Sequence, residues 1–146
     1  MSSVTHLVRR FTASLSRKPL PAAETEWAMS ALIPGEAALW QRMSVQDRRH
    51  SSQVARRFVE RRPEFTRPEL AGALLHDVGK LDSGLGTIRR VVATVVGPRT
   101  AAFRLYHDHE RIGAEMLTAV GSDVVTVELV CGRGDAAAAL RAADEI

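Results

Sequence analysis

The sequence predicts an all-α fold, a single helical bundle of about eight or nine helices. Apolar residues recur at helical spacing along most of the chain, and serine, threonine or aspartate stands where several of these stretches begin. Proline and glycine fall between the stretches, as is typical of residues that end helices. A length of 146 residues fits one domain with one substantial core.

In the first half of the chain, two pairs of residues have the spacing of a capping box, Ser44 with Asp47 and Thr66 with Glu69. Each pair predicts the start of a helix. Residues 1–43 are expected to form an N-terminal helical extension packed on the core, and residues 44–146 the main domain. Helices are expected at 3–16, 24–33, 36–43, 45–61 and 67–77.

The second half contains two stretches rich in β-branched residues. The stretch 88–96 would suit a strand by propensity alone, but its helical surroundings favour a helix. Residues 99–107 and 109–120 are expected to form two helices or one bent helix. Ser122 is predicted to cap a helix at 123–131, the second of these stretches, which is again ambiguous between helix and strand by propensity. Asp135 is predicted to cap the last helix, which runs to the C-terminus.

Composition limits the partners of the protein. The net charge of +3 is mild, and since no nucleic-acid motif accompanies the arginines, a nucleic-acid partner is not favoured. The single cysteine, Cys131, excludes an intramolecular disulfide and a cysteine-based zinc cluster. No apolar run is long enough to cross a membrane. Arg9 and Arg10 interrupt the only candidate signal peptide, so the cytoplasm is the expected location. Self-association is left open.

Polar residues on apolar helix faces are the main functional signal. His50, Asp77, His109 and Asp144 each share a stripe with apolar residues of their own helix, and His76 precedes Asp77. A buried, unpaired carboxylate costs several kcal/mol or gives up its charge. Singly, such residues are ordinarily core histidines or solvated aspartates. Because they recur on four helices, a divalent metal that stabilises them together is favoured.

Four segments resemble, in residues and in order, the motifs of the HD superfamily of metal-dependent phosphohydrolases. The most specific is Leu-Leu-His-Asp-Val-Gly-Lys at 74–80. The other three begin at His50, His109 and Leu140, and the resemblance covers residues 44–146. It implies an HD domain, a helical bundle built around one or two divalent metals.

By motif position, the resemblance implies that His50, His76, Asp77 and Asp144 are the metal ligands. It also implies hydrolysis of a phosphomonoester or phosphodiester of a small molecule, commonly a nucleotide, by metal-activated water. Asp77 would bind the metal and accept a proton from that water. The family resemblance does not distinguish among Mn, Fe, Mg, Co, Ni and Zn.

Other residues have two interpretations each. Lys80 is either a phosphate-binding cation or an ordinary solvated lysine, and Arg49 is placed to reach a phosphate. His109 is a candidate proton donor or phosphate ligand, and equally a core histidine. Two-metal relatives carry a further histidine where this chain has Cys131, so one metal is favoured over two.

Three functions follow from these residues. The first is a metal-dependent phosphohydrolase. The second is a catalytically weak HD module that binds a metal or nucleotide for regulation. The third is a purely structural helical bundle that pairs with itself or with another protein. The Gly-Tyr-Pro segment of relatives that degrade cyclic di-GMP is absent, so that activity is not expected.

Overall fold

The structure, a computed structural model, describes residues 18–81 and 98–145. Within these ranges the all-α fold is confirmed, since the regular elements are helices and no strand occurs. A short 3-10 helix, Val78–Leu81, lies between α4 and α5. The α-helices are α1 (Ala22–Ser30), α2 (Pro34–Arg42), α3 (Val45–Arg61), α4 (Arg67–Leu74), α5 (Pro98–Ala119), α6 (Val124–Val130) and α7 (Ala137–Asp144).

Seven α-helices in the described ranges are fewer than the eight or nine expected. Two of the expected helices, at 3–16 and 88–96, lie outside the described residues. No helix in the described part of the chain is both long and apolar enough to cross a membrane.

Both predicted capping boxes mark helix starts, but only the second is reciprocal in the structure. The Ser44 hydroxyl accepts a hydrogen bond from the Asp47 amide at 3.1 Å and starts α3. At the start of α4, the Thr66 hydroxyl accepts from the Glu69 amide at 3.4 Å. The Glu69 carboxylate accepts in return from the Thr66 amide at 3.0 Å. These local bonds satisfy amide groups that a helix start leaves unpaired, and they fix where the two helices begin.

The end of α4 was predicted wrongly. The helix ends at Leu74 rather than at residue 77. His76 and Asp77 therefore lie in the turn that follows, which the Val78 amide closes by donating to the Leu75 carbonyl at 3.0 Å. The 3-10 helix continues from this turn, so the His-Asp pair stands between two helices instead of on one.

Three further expectations concern the second half. The chain from 98 to 119 is one continuous helix, α5. Ser122 does not cap α6, because Asp123 accepts the Val125 amide hydrogen bond at 2.8 Å while Ser122 donates to the buried Glu36 carboxylate at 2.8 Å. Asp135 does not cap α7, which begins after Ala136 without a side-chain cap and ends at Asp144.

One core joins the helices. Its largest fully buried side chains include Trp40, Phe58, Leu74 and Leu117. Packing pairs α4 with α3 and α6, and α3 with α7. Trp40 belongs to residues predicted to form an extension, and its indole N–H donates to the Ser51 hydroxyl of α3 at 3.1 Å. Residues 18–43, the described part of the predicted extension, therefore pack into the same core.

Two glycines allow the 3-10 helix to press on α5. A Cβ atom added at Gly79 would overlap the carbonyl oxygen of His109. One added at Gly113 would lie 3.3 Å from the Val78 side chain. Hydrogen in place of a side chain lets the two backbones approach. This contact places the turn that carries His76 and Asp77 against the middle of α5.

Candidate metal centre

Three side chains from three separate elements meet at one point. His50 comes from α3, His76 from the turn after α4, and Asp144 from the last residue of α7. The Asp144 Oδ1 atom lies 3.0 Å from His50 Nε2 and 3.5 Å from His76 Nε2. One donor atom from each residue falls within 4.8 Å of the others. Two imidazole nitrogens and a carboxylate oxygen so arranged could hold a divalent cation.

The orientation of His76 suits a metal ligand. Its Nδ1 atom donates to the Ala73 carbonyl at 2.7 Å, because a carbonyl oxygen only accepts. In the neutral ring this bond leaves the lone pair on Nε2. The Nε2 atom is buried and has no hydrogen-bond partner among the described residues. A buried lone pair directed at a carboxylate and a second imidazole fits a cation.

Without a cation, a proton on His76 takes its place. Burial lowers the pKa of His76, but the Asp144 and Asp77 carboxylates outweigh burial and raise that pKa to about 10. Burial raises the pKa of Asp77, but His76 and Lys80 outweigh it and hold the Asp77 pKa well below its usual range. The hydrogen bond between His50 and Asp144 and the nearby charge of His76 likewise hold the Asp144 pKa well below its usual range. The two carboxylates thus require a positive charge between them.

Asp77 stands beside this group rather than within it. Its Oδ2 atom lies 3.4 Å from His76 Nε2 and accepts a hydrogen bond from Lys80 Nζ at 3.2 Å. The three-residue group does not include Asp77. Of the four predicted ligands, the structure brings three together and places the fourth next to them, shared between an imidazole and a lysine.

A cavity of about 280 Å³ opens over the group. Lys80 and His109, both singled out in the sequence, line it together with Glu110 and Arg141. The last two were not predicted. A signal for Arg141 exists, because it precedes Asp144 by three residues and so lies on the same face of the last helix.

Arg49 does not reach this cavity. Its guanidinium donates to the Lys18 carbonyl at 3.1 Å, and its side chain lines a different cavity with Glu24 and Arg56. Successive residues of an α-helix point about 100° apart, so proximity to His50 in sequence does not bring Arg49 to the same site.

Comparisons of the chain with protein-family models, with curated proteins and with solved structures found no match. The functional class therefore rests on the chemistry of the site.

Proposed function

We propose that the protein is a metal-dependent phosphohydrolase of the HD type that acts on a small phosphorylated molecule such as a nucleotide. The observation that carries the proposal is the buried Nε2 atom of His76, which has no hydrogen-bond partner among the described residues and faces Asp144 and His50. In its neutral form, His76 directs the lone pair of this buried atom at Asp144 and His50, which is the arrangement that a divalent cation requires.

His50, His76 and Asp144 would hold one divalent cation. A bound cation of this kind polarises a phosphoryl oxygen and lowers the pKa of a water molecule. The Ala73 carbonyl orients His76 through Nδ1, which is the usual way in which a second contact fixes a ligating imidazole.

Asp77 and His109 would move protons. Asp77 Oδ2 lies 3.4 Å from His76 Nε2, beside the metal group, where its carboxylate would accept a proton from an attacking water. His109 lines the same cavity from α5 and is the candidate donor to the leaving oxygen. Lys80, bonded to Asp77, would offset phosphate charge.

A catalytically weak regulatory module is the second candidate. It is favoured by the pairing of Asp77 with Lys80 at 3.2 Å, which occupies the group proposed to accept a proton. Such a module would bind the metal through His50, His76 and Asp144 and release little product.

Metal content tests the site first. The full chain reconstituted with Mn²⁺ should hold about one ion per chain, whereas His50→Ala and Asp144→Asn should hold markedly less. Glu145→Gln is the matched control, since Glu145 is the exposed neighbour of Asp144 and should leave occupancy unchanged. Wild-type occupancy in both ligand variants would refute the ligand set.

Turnover tests the reaction. A screen of nucleotides and generic phosphoesters with Mn²⁺, Mg²⁺, Fe²⁺, Co²⁺ and Ni²⁺ should identify a hydrolysed substrate. The Asp77→Ala variant should abolish that turnover while it retains the fold. Retained activity would place the chemistry elsewhere. A fully loaded protein with no turnover would favour the regulatory module.

A further inference from the structure

Arg141 is a positively charged residue beside the cavity, and its guanidinium makes only weak interactions with the rest of the described protein. It lies in α7, one turn before Asp144, and both residues line the cavity of about 280 Å³. Its hydrogen bond to the Gly132 carbonyl, from Nη1, spans 3.5 Å, beyond the usual range for an N–H donor. In the described part of the chain no carboxylate forms an ion pair with Arg141. The guanidinium is therefore available to a ligand.

Each arginine that forms an ion pair within the described residues is bound to a glutamate at short distance. The pairs are Arg56–Glu24, Arg62–Glu69, Arg67–Glu36, Arg111–Glu115 and Arg133–Glu128. Their charges are balanced within the protein. Arg141 differs from them in two respects, because it lacks such a partner and because it borders the candidate metal centre.

A second cation borders the same cavity from another element. Lys80, in the 3-10 helix, lines the cavity and is about half exposed, with a side-chain exposure of 46%. Its Nζ atom reaches Asp77 at 3.2 Å, which keeps the ammonium beside the metal group. Two cations on separate elements thus stand around one cavity that also contains the proposed metal ligands.

We propose that Arg141 and Lys80 together bind the terminal phosphate of a phosphomonoester, which names the substrate class for the proposed function on which this inference rests. A phosphomonoester dianion offers three terminal oxygens and close to two negative charges. A phosphodiester offers two such oxygens and one charge. Lys80 is paired with Asp77 and Glu110 also lines the cavity, so Arg141 is the cation there that no carboxylate among the described residues balances. Together with the metal site, it favours the doubly charged monoester over the singly charged diester, and guanidinium forms bidentate bonds with phosphate oxygens.

The size of the cavity agrees with this assignment. A volume of about 280 Å³ lies just below the range of roughly 300–1,000 Å³ found for small-molecule sites. It suits a compact molecule with one phosphate group rather than a long polyphosphate or an oligonucleotide. The substrate class is accordingly a small phosphomonoester.

Phosphate binding tests the inference without requiring turnover. Titration calorimetry would measure the affinity of inorganic phosphate and of dimethyl phosphate for the full chain, with and without Mn²⁺, at about pH 8, where phosphate is mostly dianionic. Loss of a charge-assisted hydrogen bond should weaken inorganic phosphate binding by roughly 10- to 100-fold in Arg141→Gln. Arg141→Lys should bind with intermediate affinity.

Arg111→Gln is the matched control, since Arg111 is also an exposed helix arginine but pairs with Glu115 and does not line this cavity. Its phosphate affinity should equal that of the wild type. Unchanged phosphate affinity in Arg141→Gln would overturn the inference. The inference would also be overturned if the wild type bound no inorganic phosphate with or without Mn²⁺, or if it bound dimethyl phosphate as tightly as inorganic phosphate.

Metal content and turnover on the same samples separate this inference from the proposed function. Weakened phosphate binding in Arg141→Gln supports the inference even where no substrate is hydrolysed. Hydrolysis of a monoester with unchanged KM in Arg141→Gln would overturn the inference and leave the metal hydrolase standing. If the chain binds no metal, the proposed function fails, and phosphate affinity of the metal-free chain still decides the role of Arg141.

Discussion

Metal binding near neutral pH should release close to one proton for each ion bound. In the metal-free site the pKa of His76 is about 10, raised by Asp144 and Asp77 against the effect of burial. The imidazole is therefore charged at pH 7, whereas a ligating imidazole must be neutral. The two carboxylates supply no proton in this range, because their pKa values lie well below the usual ones.

The size of the effect follows from the distance between pH and pKa. At about pH 7, a group with a pKa of about 10 is roughly three units from its midpoint, and each unit corresponds to about 1.4 kcal/mol. Deprotonation of His76 would then cost on the order of 4 kcal/mol, or about a thousandfold in apparent metal affinity. Apparent affinity should rise by up to about tenfold for each pH unit between about 7 and 10.

Titration calorimetry of Mn²⁺ binding, repeated in buffers of different ionisation enthalpy, measures the released protons directly. In an Asp77→Asn variant the proton count should begin to fall at a lower pH than in the wild type, since Asp77 contributes to the raised pKa of His76. A proton count near zero, or an affinity that stays flat between about pH 7 and 9, would refute the assignment of a charged His76 in the metal-free protein.

Three further predictions concern stability. The pKa of His76 is raised from 6.5 to about 10, so the charged imidazole stabilises the fold fully below about pH 6.5, and this stabilisation is lost as the pH rises towards 10. The free energy of unfolding of the metal-free chain in urea should therefore fall across this pH range, and a rise would contradict the prediction. Gly79→Ala should lower the free energy of unfolding by roughly 1–3 kcal/mol because the new Cβ overlaps a backbone carbonyl of α5; an unchanged urea midpoint would show that the contact is not tight. Ser51→Ala should cost about 1–3 kcal/mol because it leaves the buried Trp40 N–H without its acceptor. Ser30→Ala, which removes an exposed local bond, should cost much less, and equal losses would count against a special role for the Trp40 bond.

Helix positions were predictable where the signal is local. The Ser44 and Thr66 caps act on amides three residues away, so the sequence alone located both helix starts. Ser122 was misjudged because the buried Glu36 carboxylate, 86 positions distant, accepts its hydrogen bond. Spacing along the chain contains no information about such a partner, and a tertiary contact therefore overrode a local preference.

Some features of the candidate site were predictable from local sequence patterns, and others depend on the folded structure. His50 and Asp144 were located by the apolar stripes of their helices, and the structure brings them together with His76. The offset position of Asp77 was not foreseen, because it depends on α4 ending at Leu74. Metal binding itself remains a prediction for the experiments above.

The sequence places Arg141 on the same helix face as Asp144 but does not show that it lacks a carboxylate partner. Nearly all of the 20 basic residues are arginine, and spacing does not show which of them lack a carboxylate. Pairing is decided by the folded arrangement of helices. The same limit explains why Arg49 was chosen for its place beside His50 although its guanidinium bonds to the Lys18 carbonyl.

The buried Glu36 carboxylate limits how far the chain can be shortened from its N-terminal side without loss of stability. Glu36 is fully buried and accepts hydrogen bonds from Arg67 at 3.2 Å and from Ser122 at 2.8 Å. One side chain of α2 therefore fastens the start of α4 to the turn before α6. A fragment that begins at residue 44 would lose this carboxylate and the buried Trp40 together. A fragment without α2 is therefore expected to be less stable than the full chain, even though the resemblance to the HD superfamily begins after this helix.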